Sequence, residues 1–199
     1  IQLLGQTLDR LVSENGLPAG AVGILALIET ALGVENAFSI ASASPRVQAL
    51  FLGAEDLSAD LHCKRTKEGT EILYARTRLV MAARAAGIDV YDTPFTDVDD
   101  DEGLCADAAL AKSLGFTGKA AISPRHLGNI NRFSPTQAEV DHANEVLAAL
   151  EEGKRQGRGA VALHGKMIDA PIATRAKRTL ADAEQLLTRG GTLAGIRSW

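Results

Sequence analysis

Two carboxylates carry the first chemical signal in this sequence. Glu29 closes the apolar run VGILALIE (residues 22–29), and Asp56 follows the apolar run VQALFLG (residues 47–53) in the string FLGAEDL. An acid met at the end of an apolar run stands at a strand end, and in parallel α/β folds active sites gather at the C-terminal ends of strands. Two carboxylates on adjacent strand ends, with few other ligands in view, suit Mg2+. That ion takes one or two protein carboxylates and fills its remaining positions with water or substrate oxygens. The same two acids also suit helix starts, where an acid is favoured by the dipole. Spacing alone favours capping; the apolar run that drives straight into Glu29 favours use.

Further acids are placed less tellingly. Asp92, in VYDTP, ends the next apolar run and is a candidate for the same rim. Asp169 is a lone carboxylate in GKMIDAP (residues 165–171), between an apolar pair and a proline, just ahead of the last helical pattern. From the residues alone it reads as a helix N-cap. The acidic string DVDDDEG (residues 97–103) lacks the alternating ligands and distal bidentate Glu of a calcium loop, so a solvated helix start is expected. His62, His126, His142 and His164 have no ligand spacing and read as surface or capping residues. Cys63 and Cys105 form no metal-type pair or disulfide framework. The basic string KRTK (residues 64–67) reads as a solvated loop rather than a phosphate site.

The elements that must position these groups alternate. Strands are expected over residues 22–29, 47–53, 88–94 and 118–123. Between them lie helical patterns: a short one near residues 34–42, a long one in EGTEILYARTRLVMAARAAG with Ile72, Leu73, Leu79, Val80 and Met81 on its apolar side and Gly87 as its C-terminal stop, and a third in GLCADAALAKSLGF. After residue 133 the pattern changes. A long helix is expected from Ser134, with Glu139 in its first turns, then a hairpin-like or extended segment over GAVALHGKMIDAP, then a last helix in TRAKRTLADAEQLLTR. Strands alternating with helices at this spacing mean βα units and a parallel sheet. Four strands cannot close a barrel of eight. The chain is then either a small open α/β sheet over residues 1–133 or the second half, strands five to eight, of a (β/α)8 barrel, with residues 134–199 as a C-terminal helical extension.

Composition sets outer bounds. With 46% hydrophobic and 23% charged residues the chain resembles ordinary globular proteins. A formal net charge of −4 offers no basic face for nucleic acid. No run of about 18 apolar residues exists, so no membrane-spanning helix is expected. Cys63 and Cys105, with no disulfide framework, fit a reducing cytoplasm, and a cytoplasmic protein is expected. The opening IQLLGQTLDRLV is an amphipathic helix pattern without a basic leader. The chain opens on Ile1 rather than methionine, which suggests a start partway into a longer protein.

In order along the chain, ALIETALGVENAFSIA, FLGAEDLSADL, EILYARTRLVMAARAAGIDVYDTPFTDVDDDEGL, LGFTGKAAISPRH, FSPTQAEVDHA and GKMIDAPIATRAKR resemble the citrate lyase beta-subunit-like family of the HpcH/HpaI aldolase/citrate lyase superfamily. That family includes citryl-CoA, malyl-CoA and citramalyl-CoA lyases and has a (β/α)8 barrel. The resemblance covers nearly the whole chain and leaves the family's first four strands, with a substrate-binding arginine, outside it.

What the resemblance implies is specific. Glu29 and Asp56 match the family's Mg2+ ligands. Asp169 matches an acid in a C-terminal segment that reaches over a neighbouring subunit's active site in a homotrimer. Ile122 and Ser123 match a dipeptide that contacts the coenzyme A ester, although the family usually has histidine at the position of Ser123. The implied reaction breaks or forms a carbon–carbon bond between a 2-oxo acid and an acyl-CoA enolate, with Mg2+ polarising the carbonyl and Asp169 as general acid or base. Two alternatives stand beside it: an aldolase acting on free 2-oxo acids without coenzyme A, and a homologue without catalysis that binds or regulates.

Overall fold

Each strand of the N-terminal part forms where an apolar run stops at a turn residue, and each hands over to a helix that returns the chain for the next parallel strand. The computed structural model describes residues 1–188, apart from the side chain of Arg132. In chain order the main elements are α1 (Gln2–Glu14), β1 (Ile24–Ile28), α2 (Ala31–Glu35), α3 (Ala37–Ala41), β2 (Val47–Leu52), α4 (Ala54–Asp60), α5 (Leu73–Ala86), β3 (Asp89–Asp92), α6 (Asp101–Leu114), β4 (Gly118–Lys119), α7 (Leu127–Ile130), α8 (Gln137–Arg155), β5 (Val161–Leu163), β6 (Lys166–Ile168) and α9 (Ala170–Thr188). The chain divides into two compact units, Ile1–Ile130 and the residues from Asn131 onward.

In the first unit β1, β2, β3 and β4 are all parallel and lie side by side in sequence order. Each crossover therefore steps one strand in the same direction, as in a barrel wall and unlike a doubly wound sheet, whose order reverses. One face carries Ile24, Ala26, Ile28, Leu50, Leu52 and Val90, all buried, with α3, α5 and α6 packed along the strands. The opposite face carries Leu25 and Leu27, which are 54% and 47% exposed, and the half-buried Phe51 and Tyr91. An uninterrupted apolar run such as residues 22–29 is ordinarily buried on both faces of a parallel sheet. The described helices cover only one, and β1 alternates between buried and exposed residues.

The other differences are local. Leu73 and Met81 of α5 point outward, at 41% and 70% exposure. The buried stripe of this helix runs instead through Ala75, Arg76, Leu79, Val80 and Ala83, at the three- and four-residue spacing of one helical face. Gly87 ends α5 as expected, at a φ of 72° that a side chain would strain. The expected strand over residues 118–123 pairs only at Gly118–Lys119, with one further bond from the Ala120 amide to the Asp92 carbonyl at 3.0 Å.

The second unit is α8, the antiparallel pair β5–β6, and α9. Helix α8 starts later than the expected Ser134. Its cap is Thr136, whose hydroxyl accepts from the Glu139 amide at 3.1 Å while the Glu139 carboxylate accepts from the Thr136 amide at 2.7 Å. The expected hairpin is present. His164 and Gly165, at φ 50° and 74°, make its two-residue turn, since consecutive left-handed residues match the twist of paired strands. Ala143, Val146, Leu150, Ile168 and Ala176 form this unit's core. Gly153 lets β5 approach α8, because a Cβ there would collide with Val161 Cγ1. The helical extension expected over residues 134–199 includes residues 189–199, which lie outside the described residues.

Candidate active site

The C-terminal ends of the parallel strands bring Glu29 and Asp56 to one rim. Glu29 follows β1 directly and is half-buried; Asp56 is exposed in the first turn of α4, just past β2. Between them lies Gly53. A Cβ on Gly53 would sit 2.8 Å from Glu29 Cβ and 3.0 Å from Glu29 Oε2. Glycine therefore opens the space through which the Glu29 carboxylate passes over the β2–α4 turn.

Neither acid makes a side-chain cap bond, although Asp56 lies in the first turn of α4, where the helix dipole favours an acid. Thr30 caps α2 by accepting from the Gly33 amide at 3.1 Å, and the cap position of α4 is Gly53, with no side-chain bond. The capping role that spacing favours is thus already filled by Thr30 at α2. Among the described residues, no cation or hydrogen-bond donor pairs with either Glu29 or Asp56. Two unpaired carboxylates on one rim, with space held open by a glycine, fit a hard divalent cation that completes its shell with water or substrate oxygens. No group of three or more His, Cys, Asp or Glu side chains that could hold a metal occurs among the described residues. Mg2+, which needs only one or two protein carboxylates, is an ion that such a donor pair suits.

Asp92 does not join this rim. Its carboxylate is fully buried and accepts from Arg76 Nε and Nη2 at 2.9 Å each and from Lys119 Nζ at 2.7 Å. Arg76 Nη2 also donates to Asp107 Oδ1 at 2.7 Å. Lys119 Nζ lies 2.5 Å from Asp107 Oδ2, as a contact of charges rather than an aligned hydrogen bond. Two cations and two anions thus neutralise one another in the interior. Burial pushes the Asp107 carboxyl up, but Lys119 and Arg76 together outweigh it and hold it below the usual carboxylate range. Burial likewise disfavours the Arg76 cation, and Asp92 and Asp107 more than restore it. One sequence signal pointed to this quartet: Arg76 falls on the apolar stripe of α5, where an arginine needs a buried partner.

The basic string after α4 is a tie rather than a free phosphate site. Arg65 pairs with Glu71 and, at 3.3 Å, with Glu55; Lys67 pairs with Asp100. Burial alone would raise the Glu71 carboxyl. Bonds from the Thr66 hydroxyl at 2.6 Å and the Thr66 amide at 3.0 Å, with Arg65 behind them, hold it at about 2. In the acidic string, Asp100 caps α6 through the Gly103 amide at 2.9 Å, as expected of a helix start. Asp99 accepts from Arg125 at 2.7 Å.

Ile122 is 51% exposed beyond β4. Ser123 caps the turn Pro124–His126, its hydroxyl accepting from the Arg125 amide at 3.3 Å. His126 departs from the surface role expected of it: it is 1% exposed. In the second unit Asp169 stands between β6 and α9, half-buried. Its Oδ1 accepts from the Ile172 amide at 3.4 Å, a long N-cap bond, and its carbonyl accepts from the Ala173 amide at 3.0 Å.

With this rim in view, the likeness to known proteins has a physical setting. Residues 4–124 match the family model described as HpcH/HpaI aldolase/citrate lyase. The chain belongs to that family, whose α/β fold is of the TIM-barrel type. It is 43% identical over 189 residues to a protein of Escherichia coli strain K12 named citrate lyase subunit beta, covering 94% of this chain and 60% of the relative. It is 35% identical over 181 residues to an L-malyl-CoA/beta-methylmalyl-CoA lyase of Rhodobacter capsulatus, covering 82% of this chain and 57% of the relative. Among solved structures it resembles the protein CitE of Mycobacterium tuberculosis, in complex with magnesium, acetoacetate and coenzyme A. There the TM-score is 0.70 at 33% identity, over 81% of this chain and 61% of that one. The chain thus spans about 60% of the length of the curated relatives it matches.

Proposed function

We propose that this chain belongs to a Mg2+-dependent carbon–carbon lyase of the citrate lyase beta-subunit type, which cleaves or forms a 3-hydroxyacyl-CoA ester by retro-aldol or Claisen chemistry. The observation that carries the reading is the pair Glu29 and Asp56: two carboxylates without partners among the described residues, on adjacent strand ends, with Gly53 holding space beside Glu29. The relatives named as lyases of coenzyme A esters, and the magnesium-bound structure, support it. Mg2+ held by Glu29 and Asp56 would supply Lewis-acid polarisation of a 2-oxo acid carbonyl.

In this reading β1–β4 are strands five to eight of a (β/α)8 barrel, and residues 134–199 are its helical extension. The exposed apolar face of β1, with Leu25 and Leu27, supports that placement, since barrel strands carry side chains on both faces into packed layers. Asp169 holds or delivers the proton that moves as the carbon–carbon bond breaks or forms. It does so at the site of a neighbouring subunit in a homotrimer, and Ile122 and Ser123 lie along the coenzyme A ester. The protein works in the cytoplasm on small molecules.

A second reading, an aldolase on free 2-oxo acids, is favoured by one observation. The Ser123 hydroxyl oxygen, at a position where the resemblance leads one to expect histidine, accepts from the Arg125 amide of its own turn at 3.3 Å. Assay with malyl-CoA, citramalyl-CoA and citryl-CoA decides between them. The lyase reading expects release of a shorter acyl-CoA, lost on treatment with EDTA and restored by Mg2+. Cleavage of a free 4-hydroxy-2-oxo acid with none of any thioester would contradict it and leave the aldolase.

A further inference from the structure

The ends of all four parallel strands are tied by one line of hydrogen bonds, and Thr93 is its middle link. At β1 the Ile28 carbonyl, next to Glu29, accepts from the Gly53 amide at 2.9 Å. At β2 the following amide, that of Ala54, donates to Thr93 Oγ1 at 3.3 Å. At β3 the Thr93 carbonyl accepts from Lys119 Nζ at 2.6 Å. At β4 Lys119 belongs to the buried quartet with Asp92, Arg76 and Asp107. Thr93 is 2% exposed and Lys119 is 6% exposed, so water does not compete for these bonds.

The position of the middle link is telling. Ala54 opens α4, and Asp56 lies in the first turn of that helix. The cap residue Gly53 has no side chain to bond the free amides of the helix start. Thr93 supplies that acceptor from the neighbouring strand. Its hydroxyl thereby fixes the turn that carries Asp56 and the backbone over which Glu29 passes. A metal site is only as good as the groups that orient its ligands.

We propose that Thr93 is a positioning residue for the Glu29–Asp56 metal rim, acting through the Ala54 amide and braced from behind by Lys119. Thr93 does not touch the metal or the substrate. This inference rests on the Mg2+ reading given above.

The test compares Thr93→Val, which keeps the shape and removes the acceptor, with Thr93→Ser, which keeps the hydroxyl. Mg2+ alone is titrated into each by calorimetry, and the melting temperature is recorded without metal. The valine variant should bind Mg2+ about tenfold or more weakly, in the range seen when a ligand-orienting partner is removed, while the serine variant should stay within about twofold of the parent. If Thr93→Val does not fold, Thr93→Cys, of similar size and a weak acceptor, makes the same comparison. A lower melting temperature with unchanged Mg2+ affinity in the valine or cysteine variant would make Thr93 purely structural and overturn the proposal. A parent protein that binds no Mg2+ would overturn the metal reading itself, and the inference with it.

Discussion

Gly53 lies against Glu29 so closely that a single added carbon would stand 2.8 Å from Glu29 Cβ and 3.0 Å from Glu29 Oε2. Its φ of −96° is open to any residue, so the requirement for glycine is one of space and not of backbone strain. Gly53→Ala should therefore force the ends of β1 and β2 to shift, since Glu29 Cβ is held by the backbone and cannot swing aside, and carry the Glu29 carboxylate off the rim. Mg2+ affinity should fall about tenfold or more, as when a ligand's support is altered. Calorimetry on the alanine variant, with far-UV circular dichroism as the control for folding, checks this.

The buried quartet predicts a different signature. Removing one partner leaves an uncompensated buried charge, which typically costs about 3–5 kcal/mol. Asp92→Ala should lower stability by that order in chemical denaturation, because Arg76 and Lys119 then face only Asp107. Replacing exposed Asp99, which pairs with Arg125 at the surface, should cost far less, because solvent screens that pair.

How much of this was legible in the sequence depends on where the information lay. Apolar runs and their turn residues marked the four parallel strands, and Gly87 marked the end of α5 at its left-handed φ of 72°. Glu29 and Asp56 stood out because acids at the ends of apolar runs are unusual. Arg76 on the apolar stripe of α5 signals a buried partner, but which residues complete the quartet is not legible, because Arg76, Asp92, Asp107 and Lys119 come from four different elements that packing brings together. Asp92, a candidate for the rim by its place at a strand end, has its charge spent inside. The role of Gly53 is likewise a contact between two strand ends, and no pattern along one strand reveals it.

Acid should weaken the first unit partly through Glu71. Its carboxyl is held at about 2, against an ordinary 4.5. A depressed acid stabilises the folded state at pH values above its unfolded range, and that contribution is lost as the pH falls from 4.5 toward 2. Glu71→Gln should remove this part of the decline and flatten the stability curve in that window. Urea denaturation at a series of pH values checks it, and an unchanged slope in the glutamine variant would count against the Thr66–Arg65 clamp.

Asp169→Asn separates capping from catalysis. Asparagine caps a helix about as well as aspartate, so α9 should keep its start. Turnover should fall roughly 100- to 10,000-fold, the range for loss of a general acid or base, with little change in Mg2+ affinity. For supply in trans, inactive Asp169→Asn subunits are mixed with inactive Glu29→Ala subunits and exchange is verified. Partial return of activity is expected; activity that stays at the level of the separate variants would confine Asp169 to its own subunit or remove it from the chemistry.

The account stands most directly on the two rim carboxylates. Glu29→Ala and Asp56→Ala are each titrated with Mg2+ by calorimetry beside the parent protein, with melting temperatures taken in the absence of metal. The account predicts that each change abolishes or severely weakens Mg2+ binding while the melting temperature moves little, since neither side chain has a partner among the described residues. Mg2+ affinity equal to the parent's in both variants would contradict it.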